Sequence, residues 1–577
     1  MHNLSQEITE KREHLRDPST VMDLKRLGSF YPYKLSFMRK IIRKISHEKW
    51  TINLSVFNLD KDGFGEAIYE IKTPKNNYHF VVFADFLDSS LRTDRVIAEA
   101  WDMTVTLRHG PFNQNELKTL RQNVPLQEQG RMPSNCIVLS RANKSSRNFK
   151  YVIDQLSSGE QPSIKKINEV GYLYRTTAVY GSGKFGMADW EKIRLHYSDF
   201  SEPFSAEMFS CFLIRQFSLD QTDHIASMRA PETAVKLNDD IKRYIGIGNA
   251  TGLGMAPFLI KHPLLINSWI EKREFALAHI ISSTKPDNKK LNEFSLLVKR
   301  ANTHLQEIST ENNAQKKTNK DASNDLTSIA QWLTKERSEI KDWRQLIKYV
   351  TNTYGIETQE IINAILIEVY PKEALAIEEN EVIDEKYELI PEMSLADLKN
   401  IIESKYKWAL NYDFKSKDAD TVFWYRSEEK MEPRLGDRNI DNGEEKEILI
   451  GIARAVEQCY STMNSLTPEI KINTVAEFVF AYPVHRQIIR RMQTMSKTTY
   501  GEIQANLLDK NVLPIHLLRC KLSFFGVGKF DPKSRFWVRN TMFQGAPITR
   551  DIDKECADDW FFPVMPNEKS SKGNEIH

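Results

Sequence analysis

The chain is poor in the residue patterns that usually name a reaction. Its 577 residues include five cysteines, Cys136, Cys211, Cys459, Cys520 and Cys556. They are too dispersed to form a C-x-x-C pair, which excludes the common zinc and dithiol spacings. An odd, scattered set reads as free thiols in a reducing compartment. No HExxH helix, no close histidine pair and no G-x-S-x-G elbow occurs, so no metal site and no hydrolase nucleophile is expected. No apolar run approaches the ~18 residues of a membrane span. The opening MHNLSQEITEKREHLRDP lacks the apolar core of a secretory leader, and a cytoplasmic location is expected. Neither charge dominates. Eighty basic residues face 78 acidic ones, a net charge of +2, so there is no global pull toward nucleic acid or anionic membrane.

What is present is an ordinary globular composition, 41% hydrophobic and 27% charged, in a chain long enough for roughly two to four domains. The patterning predicts an α/β or α+β, helix-rich fold. An N-terminal antiparallel meander is followed by mixed α/β structure and then a mostly helical C-terminal part with a short hairpin. TINLSVFNL, FGEAIYEIKT and YHFVVFADF alternate and are separated by DKDG and PKNN turns, a three-stranded meander. The DKDGFGE turn resembles a calcium loop, but Ile71 stands where such a loop needs its bidentate Glu. Residues 88–110 read as a helix capped by Asp88 or Ser89, residues 162–175 as a further helix, and KFDPKSRFWVRN as a hairpin. The expected organisation is a mixed α/β part over 1–306, a polar linker or exposed insertion over 307–324, a helix-rich part over 325–566 and a disordered tail over 567–577. The linker is read from QEISTENNAQKKTNKDASN, which is almost free of apolar residues.

Glycine supplies the candidate sites. Residues 246–254, GIGNATGLG, are expected to form a loop of bare backbone amides, with Gly248, Gly252 and Gly254 approaching a cofactor and Asn249 and Thr251 binding substrate. The spacing from Gly248 matches one class of dinucleotide turn, but only YIGI precedes it where a long strand is required. A second glycine cluster, Tyr180-Gly-Ser-Gly-Lys-Phe-Gly186, is not a P-loop, because Ala178 and Phe185 break the pattern. Its Ser182 and Lys184, with Arg175 nearby, suit an anion. Tyr180 and Lys184 are the expected acid/base pair, the lysine lowering the phenol's pKa. Arg92 and Arg95 on a charged helix, Arg141 in a strand-to-helix turn and Lys529 in a second G-x-G-K-F segment complete the substrate-binding candidates.

These residues predict an enzyme acting on a small carboxylate- or phosphate-bearing molecule by acid/base chemistry, lyase- or isomerase-like. The cofactor is unknown; a bound nucleotide-type group is compatible with the loops. The competing expectation is a helical interaction protein that binds a protein partner or nucleic acid through the basic helix at Arg39, Lys40, Arg43 and Lys44 and through Arg486, Arg490 and Arg491. For both basic stretches a solvated helix face is the simpler reading. No membrane partner is expected, and homo-oligomerisation is left open.

Overall fold

The computed structural model describes residues 16–85, 101–126, 131–177, 190–252, 263–377, 387–411, 424–427, 433–435, 447–449, 452–467, 471–502, 514–533, 537–552 and 558–567. The alternating segments become strands β1 (Thr51–Leu59), β2 (Gly65–Lys72) and β3 (Asn77–Ala84). Asp60 closes the first turn. Its Oδ1 accepts the Asp62 and Phe64 amides, both at 2.9 Å, and Gly63 supplies φ +81°. The meander continues through β4 (Met103–His109), β5 (Cys136–Lys144) and β6 (Tyr172–Thr176), each antiparallel to the last. Strand β7 (Gly246–Gly252) then joins parallel to β6. Strands β8 (Trp424–Ser427), β9 (Pro433–Leu435) and β10 (Glu447–Leu449) form a small separate sheet. The expected C-terminal hairpin, β11 (Lys529–Pro532) and β12 (Trp537–Met542), completes a nine-stranded sheet in the order β1-β2-β3-β4-β5-β6-β7-β12-β11. The fold is thus mixed α/β and helix-rich, with an N-terminal meander and a helical C-terminal region that carries a strand pair.

The chain divides into two compact units, each assembled from separate stretches. One comprises residues 1–31, 252–294 and 336–524, the other residues 32–251, 295–335 and 525–577. The second holds the large sheet. Helix α1 (Phe37–His47) buries Phe37, Met38, Ile41, Ile42 and Ile45 on its apolar stripe. Helix α2 (Gln114–Asn123) starts at a capping box formed by Asn113 and Glu116 and packs Leu117 and Leu120 on Ile68, Val81, Phe83 and Leu139. The opposite sheet face meets α3 (Asn148–Ser157) and the 25-residue α4 (Ser205–Arg229). There Tyr69 donates to Asp220 at 2.7 Å, Tyr174 donates to Gln221 at 2.9 Å, and Phe149 sits edge-on to Tyr174. Successive strand residues point to opposite faces, so Ile68 and Tyr69 go to α2 and α4 respectively. Arg215 of α4 is fully buried and donates to the carbonyls of Lys242, Arg243, Ile245, Ala546 and Pro547, tying α5 (Asp239–Tyr244) to the C-terminal segment.

Several elements differ from the sequence reading. Within 162–175 the helix is confined to Ile164–Asn168, and β6 begins at Tyr172. The helix expected over 88–110 lies outside the described residues as far as 100, and 103–109 is β4. Part of the expected 307–324 linker is helical. Helix α6 (Asn288–Glu307) is followed by α7 (Asn313–Lys335), and α7 buries Gln315, Asn319 and Ser323 at helical spacing. A polar stripe took the place of an apolar one, so the period was present but its chemistry hid it.

In the other unit, helix Pro263–Ser283 and helix Ile356–Val369 hold a buried charge network. Glu360 accepts from Arg16 at 2.7 Å, Arg26 at 2.6 Å and Arg273, while Glu274 accepts from Arg16 at 2.7 Å and Arg273 at 2.5 Å. Pro483, which lacks the amide a helix interior needs, lies between helices Val475–Ala481 and Arg486–Met495.

Candidate functional site

The glycines of 246–252 lie in a strand. Ile245 and Ile247 are fully buried, and Gly246 and Gly248 alternate with them, so one face of β7 carries no side chain at these two positions. A Cβ on Gly248 would meet the Tyr172 ring at 2.5 Å, and one on Gly246 would meet Thr541 Cγ2 at 2.5 Å. Neither glycine needs a positive φ. Each is bare because a neighbour occupies the space a side chain would fill.

These contacts fix which residues share that face. Thr541 lies beside Gly246, so Arg539, two residues back on β12, points the same way. Register pairs Thr541 with Lys529 and Arg539 with Asp531, which brings Lys529, Asp531 and then Lys533 to this side. Across β6, Arg175 is the partner of Gly248, and Asn143 is the partner of Arg175. Arg141, two residues from Asn143, follows. One sheet face from β5 to β11 therefore carries Arg141, Arg175, Arg539, Lys529 and Lys533; Tyr172, three residues from Arg175 and so out of step with it, reaches Gly248 across the register irregularity between the two. Asp531 pairs with two of the cations, Arg539 at 2.9 Å and Lys533 at 3.0 Å.

The environments along this face differ. Arg175 is exposed and has no carboxylate within ion-pair distance among the described residues. Tyr172 is 6% exposed; burial raises its pKa, while Arg539 and Arg175 pull it back down. Arg141 stands 4.9 Å from the Trp101 ring centroid, and burial lowers its guanidinium to about 10. Lys529 is 2% exposed and donates to the Asn168 carbonyl and, at 3.2 Å, to Asn168 Oδ1, which also accepts from Tyr244 at 2.8 Å. Burial first, then Arg539, lowers Lys529 to about 8. Three strand spacings of roughly 4.8 Å separate β6 from β11 by about 14 Å, so Arg175 and Lys529 share a surface but cannot grip one small anion together.

Asn249 points to the other face, by alternation from Gly248. It is 3% exposed, and its Oδ1 has no hydrogen-bond partner among the described residues. Asn540, by alternation from Thr541, shares that face; it is 1% exposed, and neither of its amide atoms has a partner among the described residues. Thr251 and Gly252 are the last two residues of β7. Tyr180, Ser182, Lys184, Arg92, Arg95 and Gly254 lie outside the described residues.

Tyr172, Arg539 and Lys533 are not among the residues expected from sequence. Their signal is the alternation Ile-Gly-Ile-Gly over 245–248, a strand with a bare side, together with the register of the β11–β12 hairpin.

The basic stretches of the competing reading are engaged internally. Asp558 pairs with Lys34 at 2.9 Å, Arg39 at 2.8 Å and Arg43 at 3.2 Å. Burial would raise its pKa, but Arg39, Arg43 and Lys34 outweigh that and hold it well below the usual carboxylate range. Arg490 donates to the Tyr387 carbonyl at 3.0 Å, and Arg491 donates to Glu502 at 2.8 Å. Among the described residues no group of three His, Cys, Asp or Glu side chains could hold a metal, and no helix is long and apolar enough to cross a membrane. Comparison with protein-family models, curated proteins and solved structures returns no match.

Proposed function

We propose that this is a cytosolic enzyme that binds a small carboxylate- or phosphate-bearing molecule on the basic sheet face and acts on it by proton transfer, in the manner of a lyase or isomerase. The observation that carries this reading is Arg175, an exposed guanidinium with no carboxylate partner among the described residues, set beside the Tyr172 phenol. A planar fork of donors left without an internal acid is suited to an incoming carboxylate or phosphate. Arg141 on the neighbouring strand β5 and Arg539 on β12, two strands away, add to the positive field. Two further supports come from the order of the chain. Tyr180, Ser182 and Lys184 follow β6 within a few residues, and Gly254 follows β7. Because β6 and β7 are parallel neighbours, the chain continues from the same end of the sheet in both cases. In open α/β sheets the carboxyl ends of parallel strands are where ligands gather. Tyr180 and Lys184 stay the proposed acid/base pair.

The test is a thermal-shift and calorimetric screen of the full chain against small carboxylates, phosphate esters, nucleotides, coenzyme A esters and flavins. A binder is expected whose affinity falls at least tenfold in Arg175→Gln, and whose turnover, but not binding, is lost in Lys184→Ala. A screen with no binder, or one in which every binder is indifferent to Arg175→Gln, overturns the reading. The interaction-protein alternative gains instead if the chain is retained on nucleic acid in a salt-dependent way.

A further inference from the structure

A second, chemically distinct site lies between α6 and α7. A cleft of about 380 Å³ opens where the end of α6 and the residues after it face the first turns of α7. That volume lies within the roughly 300–1,000 Å³ of small-molecule sites. Its lining departs from the usual apolar one. Apart from Leu305 and Ile308, the walls are amides, hydroxyls and two lysines. Lys316 and Lys320, both exposed, stand one helical turn apart on the same wall. Neither has a carboxylate partner among the described residues.

The wall behind them is fixed by hydrogen bonds. Asn319, 7% exposed, accepts at Oδ1 from Gln315 at 2.7 Å, which leaves its amide hydrogens as the donors it offers the cleft. Ser323 donates to Asn302 at 2.6 Å, and Gln306 donates to Ser323 at 3.2 Å. These bonds join the two helices through polar atoms and hold the lining in one arrangement. The cleft thus offers a cationic pair, an ordered amide donor and a rim of hydroxyl groups from Ser309 and Thr310. A greasy ring or acyl chain would find little to bury against. A dianion alone would use the lysines and leave the amides and hydroxyls idle.

The geometry points to a binding site for a phosphorylated sugar, with Lys316, Lys320 and the Asn319 amide on the phosphate and the hydroxyl and amide rim on the sugar. This site shares no lining residue with the sheet face, although Glu311 beside it pairs with Lys533 at 4.0 Å. The test is titration calorimetry of the full-length protein with glucose 6-phosphate, ribose 5-phosphate, glucose and inorganic phosphate. At least one sugar phosphate should saturate a single site, with glucose and inorganic phosphate each at least tenfold weaker. The Lys316→Ala/Lys320→Ala variant should lose at least tenfold in affinity with an unchanged circular dichroism spectrum, and Arg175→Gln should bind as wild type. Absence of saturable binding by both sugar phosphates overturns the proposal, as does an affinity unchanged in the lysine variant. Inorganic phosphate binding as tightly as the esters overturns the sugar assignment. Loss of sugar-phosphate binding in Arg175→Gln alone would place it on the sheet face and overturn this site.

Discussion

Replacing Glu360 by Gln should loosen the N-terminal segment of the helical unit more than any other single change in that unit. Glu360 is fully buried and accepts from three arginines, while Glu274 serves two of the same three. Burial alone would raise the Glu360 pKa; Arg16 and Arg273 overcome it and hold the carboxyl well below its usual range. Removing one member of a buried pair costs about 3–5 kcal/mol, because the abandoned charge stays desolvated. Glu360→Gln leaves Arg26 and Arg273 short of a counter-charge, and both are nearly or fully buried. Arg16 keeps 24% of its side-chain exposure, so it contributes less. The loss should be about 5 kcal/mol, a large part of the 5–15 kcal/mol typical of a domain. For a unit of this size that corresponds to a fall of roughly 10 °C or more in its melting transition. Hydrogen exchange should show residues 18–31 losing protection first. Glu360→Gln/Arg26→Met removes one stranded cation and should recover part of the loss. A melting point within 2 °C of wild type, or a double variant less stable than Glu360→Gln, would refute the reasoning. The same network sets an acid limit. A carboxyl depressed in the folded state stabilises above its unfolded value of about 4.3 and loses that contribution as pH falls below it.

Three further outcomes follow from the sheet unit. Arg215→Met withdraws the donor from five carbonyls that now accept at 2.6–3.1 Å, of which, among the described residues, only Arg243's keeps a second donor, the Gly545 amide at 2.8 Å. At about 1–3 kcal/mol for each group left unsatisfied, roughly 5 kcal/mol or more should be lost, read as a collapse in soluble yield that Arg215→Lys, with fewer donors, recovers only in part. Gly248→Ala drives a methyl into the Tyr172 ring and should cost about 1–3 kcal/mol in urea denaturation, whereas Gly528→Ala, 3.8 Å from Pro563, should stay within about 0.5 kcal/mol. Asp220 is raised to about 6, chiefly by burial. A raised carboxyl favours the folded state when protonated, so its contribution is present below pH ~4 and is lost as pH rises through ~6. Asp220→Asn should therefore gain up to about 2–3 kcal/mol at pH 7.5 and flatten the pH 4–6 slope of melting temperature.

The parts of the fold legible from sequence were those where one period dominates. The β1–β3 meander alternates between firm turns, the C-terminal hairpin is marked by DPKS, and Pro483 interrupts a helix because it lacks the amide a helix needs. The parts that escaped carry two signals at once. Gly246 and Gly248 looked like loop glycines because glycine density was weighed and their period of two was not. Met103–His109 was absorbed into a preceding charged segment although Thr104, Val105 and Thr106 are β-branched or hydroxylated strand formers. The first half of helix α7 hid because its buried positions up to Ser323 are Gln315, Asn319, Ala322 and Ser323, mostly polar. The basic helix α1 looked solvated because its counter-charge, Asp558, lies at the far end of the chain. Of the candidate site, Arg141, Arg175 and Lys529 could be named from sequence, but their common face could not, since it depends on the order β6-β7-β12-β11. That order joins strands separated by hundreds of residues.

The most direct measurement of the central claim is the affinity of the full chain for the best small-anion binder that Lys316→Ala/Lys320→Ala leaves unchanged, compared between wild type and Arg175→Gln at fixed salt. The account predicts saturable binding that weakens at least tenfold when the guanidinium is removed. Equal affinity in the two proteins, or no saturable binding in wild type, would contradict it.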